Sequence, residues 1–273
     1  MILSTFGNSA GSIVAIGCLG LLITLYAVAV GILVLGQRRL LFRPKPPSPP
    51  PESAGAVWMT PVRQGKSLLG WYAPPSTETA PVLVFFHGNR GTLERVAAKT
   101  ATWRQQGMGI FAATYRGYEG NPGLPSEEGL YEDGRAVLDW LAGTGISENR
   151  IILYGESLGS GIATQLANER RFRAVILEAP FSSITDIAAA RYPWVPCRWL
   201  LRDRFDNLSR IGNIAAPMLI LHGSKDSTVP TEHAHILAKA APRARLVLIS
   251  NANHLNLHDQ GGTPPLLAFI EAL

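Results

Sequence analysis

The stretch Ile151-Ile152-Leu153-Tyr154-Gly155-Glu156-Ser157-Leu158-Gly159-Ser160-Gly161-Ile162-Ala163-Thr164-Gln165-Leu166 decides how this chain is read. Its first four residues form a short apolar run with the length of a buried strand, and a helical pattern takes over from Ile162. Between them, Gly155-Glu156-Ser157-Leu158-Gly159 matches G-x-S-x-G. A serine at the tip of a sharp strand-to-helix turn needs small residues two positions to either side, because the strained backbone brings those positions against adjacent strands. The same glycines admit a rival reading. Gly155, Gly159 and Gly161 also fit a G-x-x-x-G-x-G dinucleotide turn with phosphate at the helix N-terminus. That pattern normally opens the first βαβ unit of its domain. Here a long stretch of domain precedes it, and no Tyr-x-x-x-Lys pair follows to do carbonyl chemistry.

Outward from this turn, short apolar runs alternate with helical patterns. Strands are expected at 57–62, 68–72, 82–86, 109–115, 150–154, 174–177, 218–221 and 245–249, and helices at 92–106, 126–141, 158–170, 231–240 and 264–272. The first two strands read as an antiparallel lead-in. The later ones are nearly continuous apolar runs, as parallel strands covered on both faces require. The expectation is an α/β domain over residues 55–273 with an open, mostly parallel sheet flanked by helices. Residues 181–210 break the rhythm: Phe181, Tyr192, Trp194, Trp199 and Phe205 stand among Arg191, Arg198, Arg202 and Arg204. This segment reads either as a small lid over a pocket or as an amphipathic crossover whose aromatics pack on the core.

Serine is a poor nucleophile at its ordinary pKa and needs a base, which in turn needs an orienting acid. Asp226 closes Leu219-Ile220-Leu221-His222-Gly223-Ser224-Lys225-Asp226, a buried strand running into a loop. His254 follows the last strand in Ser250-Asn251-Ala252-Asn253-His254. Ser157, Asp226 and His254 each fall at the C-terminal end of a predicted strand, where open parallel sheets place their sites. His258 is the runner-up base and Glu178 the runner-up acid, ahead of Asp259. His222 reads as a structural loop residue, and His233 and His235 as members of an exposed helix. An oxyanion needs two preorganised donors. The Leu158 N–H is one, and the Asn89 N–H, in Phe86-His87-Gly88-Asn89-Arg90-Gly91 after a buried strand, is the other. Asp133, Asp139 and Trp140 read as surface or packing residues, and Arg116 and Tyr118 as loop anchors.

These motifs resemble the α/β-hydrolase superfamily, and more narrowly its membrane-anchored serine hydrolases, which include lysophospholipid lipases and protein depalmitoylases. The resemblance runs from about Val57 to the C-terminus. It is carried by His87-Gly88-Asn89, by Tyr115-Arg116-Gly117-Tyr118-Glu119-Gly120-Asn121-Pro122-Gly123-Leu124-Pro125-Ser126-Glu127, by the serine turn, and by His222-Gly223-Ser224-Lys225-Asp226. It implies Ser157 as nucleophile, Asp226 as acid and His254 as base, in agreement with the chain order. Two positions depart from the family pattern. Relatives often carry Gly just before the histidine and Asp shortly after, where this chain has Asn253-His254-Leu255-Asn256, and they commonly carry Asn at the position of Thr92.

At the N-terminus, residues 13–35 run without a charge. At about 1.5 Å per residue such a helix covers roughly 35 Å, enough to cross a hydrocarbon core of about 30 Å. A cleaved signal peptide would carry positive charge ahead of a shorter apolar stretch, and residues 1–12 hold no Lys or Arg. Ala15-Ile16-Gly17-Cys18 resembles a lipoprotein cleavage box only loosely and lies at the start of the apolar run. Residues 1–36 are therefore expected to form a segment with a retained single-pass anchor at 13–35. A basic and proline-rich linker is expected over 37–54, its arginines facing lipid phosphates and Pro44–Pro51 acting as a polyproline II spacer. The positive-inside rule puts this flank, and the domain after it, on the cytoplasmic side.

The net charge is +5, and Arg38, Arg39, Arg43 and Lys45 supply four of those charges, leaving the rest of the chain nearly neutral. A nucleic-acid footprint over a folded face is thereby disfavoured. Cys18 falls in the anchor and Cys197 in the domain, so neither a disulfide framework nor a metal cluster is available. The resulting expectation is a membrane-anchored serine hydrolase cleaving an ester, thioester or related acyl bond of a small or lipid-like substrate, with no metal or organic cofactor. The alternatives are a serine peptidase on the same fold and a hydrolase-like membrane protein that binds without turnover.

Overall fold

The strand Val82-Leu83-Val84-Phe85-Phe86 shows how the sheet is held, since all five residues are buried. Val82, Val84 and Phe86 join one apolar layer, and Leu83 and Phe85 join the opposite one. Burying a Val, Leu or Phe side chain stabilises by about 1.5–3 kcal/mol relative to leaving it exposed, so covering both faces gives this sheet its strength. The computed structural model describes residues 6–47, 57–59, 62–63 and 66–273.

The strands are β1 (Val57–Met59), β2 (Val62–Arg63), β3 (Lys66–Ser67), β4 (Gly70–Ala73), β5 (Val82–Phe86), β6 (Gly109–Ala113), β7 (Ile151–Glu156), β8 (Ala174–Glu178), β9 (Met218–Gly223) and β10 (Ala244–Ile249). The helices are α1 (Phe6–Leu41), α2 (Leu93–Gln105), α3 (Glu127–Gly143), α4 (Leu158–Glu169), α5 (Ile184–Arg191), α6 (Cys197–Leu200), α7 (Leu208–Ile211), α8 (Thr231–Ala240) and α9 (Thr263–Glu271). Eight strands form one sheet in the order β1-β4-β6-β5-β7-β8-β9-β10. The β1–β4 and β4–β6 pairs are antiparallel and the remainder parallel, so the lead-in and the parallel body are both as expected. Helix starts follow their side chains: Thr92 caps α2 by accepting from the Arg95 N–H, and Ser126 caps α3 by accepting from the Gly129 N–H.

The expected strand 57–62 is divided into β1 and β2, with residues 60–61 outside those described. The expected spacer at 44–51 lies partly outside them, as does the domain start near Gly55. The larger difference is at the N-terminus, where the helix does not end at Leu35. It continues through the basic stretch to Leu41, and Phe42 is buried in the domain core. Phe42 packs edge-on against Phe205, with ring centroids 6.2 Å apart. Arg38 reaches Asp203 through Nε at 2.7 Å and Nη2 at 3.2 Å, and Asp203 also accepts from the Glu127 N–H at the start of α3. The Gln37 side chain accepts from the Arg202 N–H at 2.8 Å. Residues 37–42, read from the sequence as the start of a linker facing lipid phosphates, are thus docked on the domain. The buried Asp203 carboxylate and the Phe205 ring hold Arg38 and Phe42 against the domain.

Within 181–210 the burial is divided. Phe181 and Phe205 lie in the core, whereas Trp199 is 85% exposed and Trp194 49% exposed. Cys18 and Cys197 are both free thiols.

Removing the Phe42 ring is expected to cost about 3–5 kcal/mol, and Phe42→Leu less than about 1.5 kcal/mol, in urea unfolding of the full chain in detergent. Equal midpoints for Phe42→Ala and the parent would mean that α1 is a free tether.

Candidate active site

Ser157 occupies φ +50°, ψ −113°, between the last residue of β7 and the first of α4. A non-glycine residue at positive φ is strained, and the strain persists because its surroundings leave no alternative. The Ser157 N–H donates to the Glu178 carbonyl at 2.9 Å, and the Ser157 carbonyl accepts from the Ser160 N–H at 2.9 Å. A Cβ on Gly159 would stand 1.9 Å from the Phe86 carbonyl oxygen, and one on Gly155 would stand 2.6 Å from the Gly159 carbonyl oxygen. Both glycines are therefore accounted for by backbone packed against backbone, not by room for a phosphate.

Strands β7, β8, β9 and β10 are consecutive parallel neighbours, so their C-terminal ends open on one edge. Asp226 lies just past β9 and His254 just past β10. His254 Nδ1 is 2.7 Å from Asp226 Oδ2, and His254 Nε2 is 3.0 Å from Ser157 Oγ. With Nδ1–H donated to the carboxylate, Nε2 is left to accept the serine proton. The other oxygen of Asp226 accepts from the Thr228 and Val229 N–H groups at 2.8 and 2.9 Å. Burial raises the Asp226 pKa, but hydrogen bonds from His222 and His254, the His254 charge and the Val229 amide outweigh it. The carboxyl is held below the ordinary carboxylate range. His222 is fully buried and donates Nε2–H to the Val229 carbonyl at 2.8 Å, bracing the Asp226 loop as a structural residue.

The loop after β5 closes the other side. A Cβ on Gly88 would come 3.4 Å from Ser157 Cβ, so the loop lies directly against the serine. Asn89 donates its side-chain amide to the Leu41 carbonyl at 3.2 Å and accepts at its own carbonyl from Tyr118 Oη at 3.2 Å. The buried His87 ring packs on Tyr115 and Tyr118. Among the described residues, no turn or loop hydrogen bond to a backbone carbonyl is made by the Leu158 or the Asn89 N–H.

The rival groups stand elsewhere. His258 Nε2 contacts Tyr154 Oη at 3.0 Å and Glu178 at 3.3 Å rather than Ser157. Glu178 is buried and also accepts from Lys99 and Tyr154; burial raises its pKa, but the Lys99 and His258 charges and hydrogen bonds hold it below its usual range. Asp259 is exposed. His233 is half-buried, not exposed, with Nδ1 2.9 Å from Ser182 Oγ. Asp133 is a buried partner of Arg116, bonded through Nη2 at 2.6 Å. Two positions next to the base had no assigned role in the sequence. Asn253 Oδ1 accepts from the Leu255 and Asn256 N–H groups at 2.9 and 3.2 Å, and Asn256 Oδ1 accepts from the Asn253 N–H at 2.7 Å. This reciprocal pair shapes the His254 turn. Such turn chemistry is the only signal the sequence offered for it.

A mostly parallel sheet with a strained serine turn after its central strand defines an α/β hydrolase. The chain belongs to the prolyl oligopeptidase family, whose pattern matches residues 95–262. It is 36% identical to an uncharacterized protein of Mycobacterium tuberculosis, over 83% of this chain and 84% of the relative. It is 29% identical to the alpha/beta hydrolase domain-containing protein WAV2 of Arabidopsis thaliana, over 76% of this chain and 74% of WAV2. In three dimensions it resembles Est1E from Butyrivibrio proteoclasticus, solved with ferulic acid bound, at a TM-score of 0.66 and 19% identity over 79% of this chain and 100% of that one. It is thus a hydrolase of the α/β-hydrolase superfamily.

Because the Asp226 pKa is lowered on folding, its contribution to stability is complete above the unfolded value near about 4 and is lost as pH falls through the folded one. The stability difference between the parent and Asp226→Asn should therefore shrink as pH is lowered below about 4 in urea titrations. A difference that grows there would contradict the assigned charge.

Proposed function

We propose that the protein is a membrane-anchored serine hydrolase acting on an ester or thioester acyl bond, with Ser157 as nucleophile, His254 as general base and Asp226 as the orienting acid. The observation that carries this reading is the unbroken hydrogen-bond chain Ser157–His254–Asp226 at the tip of the strained turn. Ser157 Oγ attacks the carbonyl carbon while His254 Nε2 takes its proton. The carbonyl oxygen becomes an anion held by the Leu158 and Asn89 N–H groups. As the tetrahedral intermediate collapses, His254 Nε2–H protonates the leaving group and the acyl group stays on Ser157. Water, deprotonated by His254, then releases the acid and restores the serine.

Anchoring is supported by α1, whose residues 11–28 are exposed, uncharged and mostly apolar. Arg39, in the last turn of α1, and Arg43 and Lys45 after it are exposed and favour a cytoplasmic domain by the positive-inside rule. The prolyl oligopeptidase match supports a second reading, hydrolysis of a peptide amide by the same three residues.

Full-chain protein in detergent is expected to hydrolyse p-nitrophenyl butyrate and a butyryl thioester, with the rate reduced roughly 10⁴-fold or more in Ser157→Ala. Undiminished turnover in that variant would sink the proposal. Faster cleavage of a peptide anilide than of either acyl substrate would replace it with the peptidase reading.

A further inference from the structure

The half of α1 nearest the domain forms one wall of an apolar groove. Leu33, Val34 and Leu41 face Ile187 and Ala188 of α5 and Val195 beyond it, around a space of about 190 Å³. At about 30 Å³ per water this is the room of some six waters, enough for part of an acyl chain.

The groove is linked to the serine through the loop after β5. Leu41, which lines it, accepts from the Asn89 side chain, and Gly88 of the same loop lies against Ser157. Helix α5 runs outward from Ile184 to Arg191, which lines the groove with Leu33. Above this, Tyr26 of α1 donates Oη–H to the Trp194 carbonyl at 3.0 Å and packs edge-on against its ring. Trp194 and Trp199 are exposed, as are Arg191, Arg198 and Arg202. Exposed tryptophans among arginines suit the headgroup layer of a bilayer. The depth agrees: α1 meets the domain at Tyr26 and is partly covered by it along one side from Ala29 onward. The twenty residues from Phe6 to Leu25, at about 1.5 Å each, rise about 30 Å, the thickness of a hydrocarbon core. The membrane surface then lies at the height of Tyr26 and Trp194, and the groove wall begins at Leu33, about two helical turns further along α1.

We infer that this groove is the acyl-chain site: one fatty acyl chain of a membrane lipid passes from the bilayer between α1 and α5, bringing its carbonyl to Ser157 without leaving an apolar surface. The inference rests on the proposed hydrolase reading and adds the route and the chemistry of the substrate. The membrane helix is, on this account, part of the substrate site as well as an anchor.

The test uses full-chain Ser157→Ala protein in vesicles of phosphatidylcholine with some phosphatidylglycerol. The probe is a palmitoyl lysophosphatidylcholine with a diazirine at mid-chain. Photolysis is expected to give adducts on the peptides holding Leu33, Val34, Ile187 and Ala188, competed by excess unlabelled lipid. Filling the groove with Ala188→Trp, or independently with Val34→Trp should the first fail to fold, is expected to lower these adducts about tenfold while labelling of residues 11–28 persists. Adducts confined to residues 11–28, groove adducts unchanged in both variants, or crosslinked chain dimers in their place would overturn the assignment. Turnover of p-nitrophenyl acetate by the parent chain, which needs no groove, reports separately on the triad. Its absence alongside competed groove adducts would strike the Ser157 assignment and leave the groove.

Discussion

Gly159 packs against the carbonyl of Phe86, and the rest of the site depends on that approach. No side chain fits between them, so α4 can start directly against β5. That start forces the chain to reverse within one residue, and Ser157 absorbs the reversal at positive φ. The hydroxyl is consequently aimed off the C-terminal edge of the sheet instead of into either buried face. Parallel pairing supplies the partners, because β9 and β10 end on the same edge as β7 and deliver Asp226 and His254 there. An antiparallel arrangement of the same strands would place alternate loops on opposite edges and disperse the three groups.

A second layer of charge lies beneath this edge. Lys99 pairs with Glu178 and stands 3.4 Å from Glu156, which precedes the serine and also holds Arg95 at 3.0 Å. Tyr154 and His258 complete the cluster on Glu178. Buried ion pairs add little net stability, since desolvation offsets much of the attraction, but breaking one leaves an uncompensated charge at high cost. Their effect here is positional: the cluster ties the strand before the serine to the loop that follows His254.

Much of this was legible in the sequence because it is local or periodic. Apolar runs of strand length marked the sheet, and Ser157, Asp226 and His254 could be named from strand ends and chain order. Contacts between distant polar residues have no period and left no trace. Nothing in Arg38 announces a partner 165 residues away at Asp203, and Asp133 on an amphipathic helix looks like a surface acid until Arg116 folds over it. Hydropathy also cannot distinguish an apolar helix in lipid from one against protein. The apolar run at 13–35 therefore concealed that the helix continues to Leu41 and that its last third is docked on the domain, with Phe42 in the core. The Asn253–Asn256 pair shows the same limit at short range, since two asparagines read as a loop while their reciprocal bonding gives a defined turn.

The central claim is that the geometry at Ser157 makes one serine a nucleophile through His254. Peptide mapping by mass spectrometry after reaction of membranes with a fluorophosphonate tests it most directly. The account predicts a single phosphonylated peptide containing Ser157, and loss of that adduct in a folded His254→Ala variant. An adduct on another serine, or equal labelling of Ser157 without the histidine, would contradict it.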